Sequence, residues 1–199
     1  GAGTSLDMTR LTAGTDATLT GATITGGGIT ATSGAISATG TTINVMTASA
    51  GTSLGMTATT GDLTLGTGSA GTTAALGTGA GDVIVTSSLT SGQAATVTSA
   101  SDARLANVTA ATGDVTVMAA GEVSGIGAGN ANLAATSGNL TVTGGTLARL
   151  GMISAGSAIN VTADTLSTDN ATAGTSLSLI ADAGNATLTT GSAGTTALV

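Results

Sequence analysis

The chain repeats itself about every twenty residues, and this recurrence constrains its fold more than any other feature. From Ala50 to Thr73 it reads AGTSLGMTATTGDLTLGTGSAGTT, which holds two short strand patterns, each preceded by a glycine turn. The same elements return one period later, Gly51 as Gly71 and Asp62 as Asp82. A fixed period of this length is typical of solenoids, in which each unit buries its apolar face by stacking on its neighbours.

Apolar residues recur in pairs separated by one outward residue, which is the alternation of a half-buried strand. Between Leu54 and Val117 these pairs lie nine to twelve residues apart, so two such steps make one coil. Antiparallel hairpins also give short strands at this spacing. Asp62, Asp82 and Asp102, however, return at the full period, and like residues stack on like only in a parallel coil. We therefore predict an all-β parallel β-helix (β-solenoid) of about twenty residues per coil and roughly ten coils.

The composition excludes an ordinary globular core. The chain has no Phe, Trp, Tyr, Pro, Cys or His, while Gly, Ala, Thr and Ser fill most positions. Because aromatic side chains normally dominate a core, this one must be narrow and lined with Leu, Ile, Val, Ala and Met. A mean hydropathy of +0.47 argues against disorder. The 33 glycines argue against helices, since each costs about 1 kcal/mol relative to Ala in a helix interior.

The chain also contains a second, longer repeat, in addition to the repeat of about twenty residues. The segment Ala173 to Ala197 matches Ala50 to Ala74 at 17 of 25 positions, which indicates that a block of six coils was duplicated. The short period slips at 25–38, 121–135 and 163–173, where we expect turns or surface loops. We treat 1–199 as one solenoid segment, and because it begins without Met and ends inside a repeat, we expect it to belong to a longer repetitive chain.

Charge and residue inventory exclude several classes of function. A net charge of −7 argues against nucleic acid and anionic membrane surfaces as partners. No run of about 18 apolar residues and no signal peptide is visible, so we predict no membrane insertion. With no His, Cys or Lys, the parts of a nucleophile–base pair or a metal hydrolase are missing. We predict that the chain is not an enzyme and has no catalytic, cofactor-binding or metal-binding residues.

The column of Asp62, Asp82 and Asp102 is the strongest candidate for a site. Three stacked carboxylates could recruit calcium, which prefers oxygen ligands. The alternative is that each aspartate is a turn residue whose side chain accepts hydrogen bonds from backbone N–H groups. We favour this alternative, because the glycine-rich nonapeptide of calcium-binding rolls is absent. Arg104 would then relieve repulsion at one end of the column.

Paired threonines offer a second candidate site, a surface that binds ice. Flat arrays of Thr-x-Thr bind ice in several β-solenoids, but threonine is also a good strand former. The six pairs do not share the twenty-residue register, so we expect no continuous face. They are Thr18/Thr20, Thr23/Thr25, Thr57/Thr59, Thr96/Thr98, Thr141/Thr143 and Thr187/Thr189.

Glycosylation motifs of the form Asn-x-Thr lie at Asn107, Asn139, Asn160, Asn170 and Asn185. For Asn139 and Asn185 we favour a structural asparagine ladder, because both occupy the slot after glycine that aspartate fills elsewhere.

The recurring phrases AGTSLxL, TGDLTL and GNLTV resemble the shaft repeats of filamentous haemagglutinin-like large exoproteins of Gram-negative bacteria. The resemblance covers nearly the whole chain and lies in repeat style. It implies a right-handed parallel β-helix at the cell surface with roles in adhesion, biofilm or filament formation. Our prediction is an extracellular structural shaft that associates with itself end to end or side by side and meets a host or neighbouring-cell surface. The alternative is a ligand-binding module, either a glycan adhesin or an ice-binding face.

Overall fold

The structure is a computed structural model that describes residues 4–199. Within this range twenty strands form one continuous sheet, and every strand pairing is parallel. The sheet winds through about ten coils of about twenty residues each. The predicted parallel β-solenoid is therefore confirmed, and the antiparallel alternative is excluded.

The strands are numbered in chain order, and a single turn of 3₁₀ helix spans Ile126–Ala128. The strands are β1 Leu6–Ala13, β2 Ala17–Ala31, β3 Ile36–Ala50, β4 Leu54–Ala58, β5 Leu63–Ala70, β6 Ala74–Thr78, β7 Val83–Ser91, β8 Ala95–Ser99, β9 Ala103–Leu105, β10 Asn107–Ala110, β11 Val115–Ala119, β12 Glu122–Ser124, β13 Ala131–Ala135, β14 Leu140–Gly144, β15 Leu147–Ala155, β16 Ile159–Ala163, β17 Thr165–Ala173, β18 Ser176–Ala181, β19 Ala186–Ala193 and β20 Thr196–Leu198.

Each coil has three straight segments, and equivalent segments of successive coils stack into three sides. Side A consists of 6–8, 24–26, 43–45, 63–65, 83–85, 103–105, 122–124, 147–150, 165–168 and 186–188. Side B consists of 10–13, 28–31, 47–50, 67–70, 88–91, 107–110, 132–135, 152–155, 170–173 and 190–193. Side C consists of 17–20, 36–40, 54–58, 74–78, 95–99, 115–119, 140–144, 159–163, 177–181 and 196–198. Coil one is 6–20 and coil ten is 186–198. At about 4.8 Å per coil the stack is about 48 Å long.

The core is a narrow tube of stacked side chains. Sides A and B turn two residues of a coil inward, as Leu63 and Leu65 show on side A, while Thr64 between them faces outward. Side C turns three inward, as Leu54, Met56 and Ala58 show. Like positions stack, so the core consists of seven interior columns. The one used below, the Leu11 column of side B, consists of Leu11, Ile29, Ala48, Gly68, Leu89, Val108, Leu133, Ile153, Ala171 and Gly191. The buried apolar residues are Leu, Ile, Val, Ala and Met, as predicted.

The predicted surface loops are mostly wrong. Residues 25–31 continue β2 and residues 36–38 begin β3, and 165–173 form β17. The period slips there because corners differ in length while the strands stay paired. Leu147, for example, pairs with Thr165 after only 18 residues, whereas Thr67 pairs with Ser88 after 21.

One predicted loop is real in part. Within 121–135, strands β12 and β13 keep their pairing, and only 125–130 leaves side A. This excursion lengthens coil seven, so that Val108 pairs with Leu133 after 25 residues. Gly127 has φ of 62° at its tip, a left-handed conformation that favours glycine. The Asn130 amide donates to Asp169 Oδ2 at 2.6 Å, which ties the excursion to a later coil.

Two buried hydroxyl groups differ in how they are satisfied. Ser99 Oγ accepts a hydrogen bond from Val83 N at 3.2 Å and donates to the Asp102 carbonyl oxygen at 2.8 Å. Ser91 Oγ has no hydrogen-bond partner in the described part of the chain, although the residue is only 5% exposed. The neighbouring coils carry Ala70 and Ala110 at the Ser91 position. Burial of a polar group without a partner lowers stability.

This contrast predicts opposite effects of two identical substitutions. We expect Ser91→Ala to leave the free energy of unfolding unchanged or raise it by about 1 kcal/mol, because it removes an unpaired buried hydroxyl. Ser99→Ala should lower it by about 1–3 kcal/mol, because it removes a bonded one. Urea denaturation of the two variants beside the parent chain measures both. Equal losses would contradict the assignment of hydrogen bonds.

Candidate functional site

The corner between sides C and A holds a ladder of acidic residues. Asp62 Oδ1 accepts a hydrogen bond from Asp82 N at 2.9 Å, and Asp82 Oδ1 accepts one from Asp102 N at 3.1 Å. Asp102 Oδ1 in turn accepts one from Glu122 N at 2.9 Å. We call Asp62, Asp82, Asp102 and Glu122 the acidic ladder. Each aspartate carboxylate satisfies a backbone donor at the same corner of the following coil.

Three of the four ladder residues follow a glycine, and for Gly81 and Gly121 the glycine has a steric reason. An ideal Cβ at Gly81 would lie 2.5 Å from Asp62 Oδ1, which no real side chain tolerates. The same crowding exists between Gly121 and Asp102 Oδ1. The Gly-Asp pair of the repeat therefore works across coils, because the glycine of one coil admits the carboxylate of the coil before it.

The structure brings the predicted Asp62, Asp82 and Asp102 together and confirms their role as acceptors for backbone N–H groups. The prediction missed one point, namely that the donor lies twenty residues on in the next coil and not within the same turn. Among residues 4–199 no group of three His, Cys, Asp or Glu residues is placed to hold a metal ion. One oxygen of each of these aspartates is already committed to the backbone.

Arg104 sits against the middle of the acidic ladder. Its Nη2 lies 3.1 Å from Asp102 Oδ2 and 3.4 Å from Asp82 Oδ2. The hydrogen bond to Asp102, together with the negative charge of Asp82, raises the pKa of Arg104 above its ordinary value. The predicted relief of repulsion is confirmed. Because the Arg104 side chain is 47% exposed, each pair adds only about 0.2–1 kcal/mol.

The corner between sides B and C carries a second ladder of the same kind. Asp114 Oδ1 accepts from Asn139 N at 2.7 Å, and Asn139 Oδ1 accepts from Ala158 N at 3.1 Å. Asn139 therefore has a structural role, as predicted, but it stacks between Asp114 and Ala158 and not on another asparagine. Asn185 directly precedes the side A segment of coil ten, which is the slot that Asp62 occupies in coil four.

The asparagines of the Asn-x-Thr motifs are all exposed, so glycosylation of them stays a prediction. Two of the five, Asn107 and Asn139, already use their amides within the coil stack: Asn107 Nδ2 donates to the Ser87 carbonyl oxygen at 3.0 Å, and Asn139 Nδ2 donates to Asp114 Oδ1 at 3.3 Å.

The expectation that the threonine pairs share no register is wrong for three of the six pairs. Thr18/Thr20, Thr96/Thr98 and Thr141/Thr143 all lie on side C, in the same two outward columns. We call these columns the threonine face. The first consists of Thr18, Ser37, Gly55, Ala75, Thr96, Thr116, Thr141, Asn160 and Ser178, and the second of Thr20, Thr39, Thr57, Gly77, Thr98, Met118, Thr143, Thr162 and Ile180. None of these residues is charged.

Side B holds a shallow cleft of about 280 Å³ across coils six to nine. Its walls include Asn107, Asn132, Met152 and Asn170. Asn132 Oδ1 accepts from Met152 N at 2.9 Å, and Asn132 Nδ2 lies 3.4 Å from Asn107 Oδ1. These amides form a ladder along the stack, so their polar atoms are already used in hydrogen bonds between coils.

Comparison with protein-family models, with curated proteins and with solved structures finds no match to this chain. The resemblance to haemagglutinin-like exoproteins therefore rests on the repeat phrases alone. No helix in the range 4–199 has the length and apolar character needed to cross a membrane.

The acidic ladder predicts a graded response at Asp82. Asp82→Ala removes the acceptor for Asp102 N and one partner of Arg104, so we expect the free energy of unfolding to fall by about 1–3 kcal/mol. Asp82→Asn keeps an amide oxygen in place and should lose less than half of this. Thermal and urea denaturation at matched ionic strength measure the difference. An unfolding midpoint that rises with calcium chloride but not with sodium chloride would contradict the purely structural role.

Proposed function

We propose that the chain is a structural shaft or filament-forming segment of an extracellular bacterial surface protein. The observation that carries the proposal is the unbroken stack itself, in which all three sides pair from coil one to coil ten. Backbone hydrogen bonds run along the axis, so bending the stack requires distortion of three sides at once. Each coil contacts only its neighbours, so length changes by whole coils without new packing.

The location and the mechanical role follow from the resemblance and from composition. The haemagglutinin-like repeat phrases favour the cell surface. Most side chains that face outward are Thr, Ser, Asn, Ala or Gly, and acidic residues sit at corners where they satisfy backbone groups. This surface suits a spacer that holds another domain away from the cell. In adhesion or biofilm formation, its partners would be further copies or a neighbouring cell surface.

The proposal is tested on the protein in its own cells. Antibodies raised against the 199-residue chain should label intact cells before permeabilisation, and cryo-electron microscopy of detached material should show fibres with an axial repeat of about 4.8 Å. Deletion of 63–82, one complete coil, should shorten each fibre segment by about 4.8 Å and keep the fold. Deletion of 63–72 is the matched control and should disrupt it, because half a coil breaks the register of all three sides.

Two results would overturn the shaft. Labelling that needs permeabilisation would reject the surface location. Compact particles in place of fibres, with surface labelling intact, would favour a binding module.

The threonine face supports a second candidate function, the binding of ice. Its two columns repeat about every 4.8 Å along the axis and about 6.6 Å across it, which is two residues along a strand. Most of its residues are threonine or serine, and none is charged from coil one to coil nine. Such a lattice could order water in register with the oxygen rows of an ice surface. The hydroxyl array is interrupted at coils three, four, six, eight and nine, by Gly55, Ala75, Gly77, Met118, Asn160 and Ile180.

Thermal hysteresis and inhibition of ice recrystallisation measure this candidate function. If the threonine face binds ice, Thr98→Tyr and Thr143→Tyr should each reduce both activities several-fold, because the bulky ring breaks the flat array. Thr172→Tyr on side B is the matched control and should leave them unchanged. Equal losses in all three variants, or no activity in the parent chain, would reject the threonine face as an ice-binding surface.

A further inference from the structure

Two of the three arginines of the chain share one outward column of side A. The three are Arg10, Arg104 and Arg149. Ser124 of coil seven pairs with Arg104 of coil six, and the pairing of β12 with β15 places Ser124 beside Arg149 of coil eight. The two arginines therefore lie two coils apart, about 10 Å along the axis. In a chain with a net charge of −7, this column concentrates the positive charge.

A cleft of about 350 Å³ opens between this column and the excursion 125–130. It is lined by Arg104, Glu122, Ser124, Gly125, Gly127 and Arg149. Ser124 is only 4% exposed although it stands in an outward column, so it forms the floor of the cleft. The volume is at the lower end of the range for small-molecule sites, about 300–1,000 Å³, which suits a ligand with a single ring.

The excursion is a fixed wall of the cleft. Gly125 N donates to the Gly129 carbonyl oxygen at 2.9 Å, which closes the excursion at its base. The hydrogen bond of the Asn130 amide to a later coil holds its far end. An ideal Cβ at Gly125 would lie 2.6 Å from the Asn130 backbone, so a side chain there does not fit. Because Gly125 and Gly127 line the cleft without side chains, a ligand can approach the backbone closely.

The charges of the lining select a ligand of low negative charge. Two arginines and one glutamate give the lining a net charge of +1. Asp82 and Asp102 contact Arg104 through its Nη2 from outside the lining and lower the positive potential further. A densely charged phosphate or sulfate group is disfavoured for this reason. A single carboxylate matches the planar fork of donors that a guanidinium group presents, and Glu122 supplies an acceptor for hydroxyl groups.

We propose that this cleft binds a hexuronate, a sugar that carries one carboxylate and several hydroxyl groups, either free or as a residue of a polysaccharide. The guanidinium groups of Arg104 and Arg149 bind the carboxylate and a neighbouring hydroxyl group. The Glu122 carboxylate accepts a hydrogen bond from another hydroxyl group, and the ring lies against the backbone of Gly125 and Gly127. The site belongs to coils six to eight alone, so it does not depend on the proposed role as a shaft.

Isothermal titration calorimetry and amide NMR spectra of the 199-residue chain test the site with galacturonate and trigalacturonate. We expect binding of one or both, with shifts of the Ser124, Gly125 and Gly127 amide signals. Galactose is the matched neutral ligand, because it has a hydroxymethyl group in place of the carboxylate, and it should bind at least about 10-fold more weakly. Tighter binding of trigalacturonate would identify a polysaccharide as the ligand, and binding of galacturonate alone would identify the free acid.

Substitution of arginines separates the cleft from general electrostatic attraction. Arg149→Gln should weaken galacturonate binding by about 10- to 100-fold, the loss expected for hydrogen bonds between charged groups. Arg149→Lys keeps the charge but not the planar fork, so it should recover only part of this loss. Arg10→Gln changes the net charge by the same amount outside the cleft and should leave binding unchanged. Circular dichroism of each variant verifies that the fold is retained.

Glu122→Ala gives a result that loss of structure does not imitate. It removes the hydroxyl acceptor and also a negative charge, while the Glu122 backbone N–H keeps its place in the acidic ladder. Galacturonate binding should therefore weaken, whereas binding of inorganic sulfate should strengthen.

Four results would overturn the proposal. The first is no binding of galacturonate or trigalacturonate at millimolar concentration, and the second is equal binding of sulfate or galactose by the parent chain. The third is an equal loss in Arg10→Gln and Arg149→Gln, and the fourth is tighter galacturonate binding by Glu122→Ala.

Discussion

The parallel backbone ladder between coils is the interaction on which everything else in this structure depends. It places each residue directly against its equivalent in the next coil, so that side chains are selected as columns. Residues that stack must therefore fit one another in size and in hydrogen bonding. Glycine precedes aspartate at the acidic corner for this reason, because the carboxylate of Asp62 occupies the space beside Gly81. Arg104 lies where two such carboxylates leave oxygens free to pair.

The core is a narrow tube that contains no aromatic residues. It is filled because side chains of different size follow one another within each column. Ile29, Ala48 and Gly68 become progressively smaller, and leucines of adjacent columns and of the next coil fill the space. Equivalent residues of the duplicated block lie six coils apart in the same columns, as Gly68 and Gly191 show.

Sequence reasoning succeeded where a signal repeats within one coil and failed where it depends on the lengths of corners. The inward pairs, the acidic column and the position of Asn139 could be predicted, because they depend only on the alternation of apolar and polar residues and on the twenty-residue repeat. The threonine face was missed because Thr18, Thr96 and Thr141 stand 78 and 45 residues apart, and neither interval is a multiple of twenty. Corners of unequal length absorb the difference, so the threonines share a column that a fixed period does not reveal. The supposed loops at 25–38 and 163–173 were errors of the same origin.

The sequence by itself determined that the chain coils, that its core is thin and aliphatic, and that aspartate and glycine mark its corners. These properties depend on residue type and short-range alternation, which a single strand and turn already express. Only the tertiary structure decided which corners lengthen, which outward residues form one face and which hydrogen bonds the carboxylates make. Each of these depends on contacts between residues 18 to 25 positions apart, and corners of unequal length change that interval while the strands stay paired.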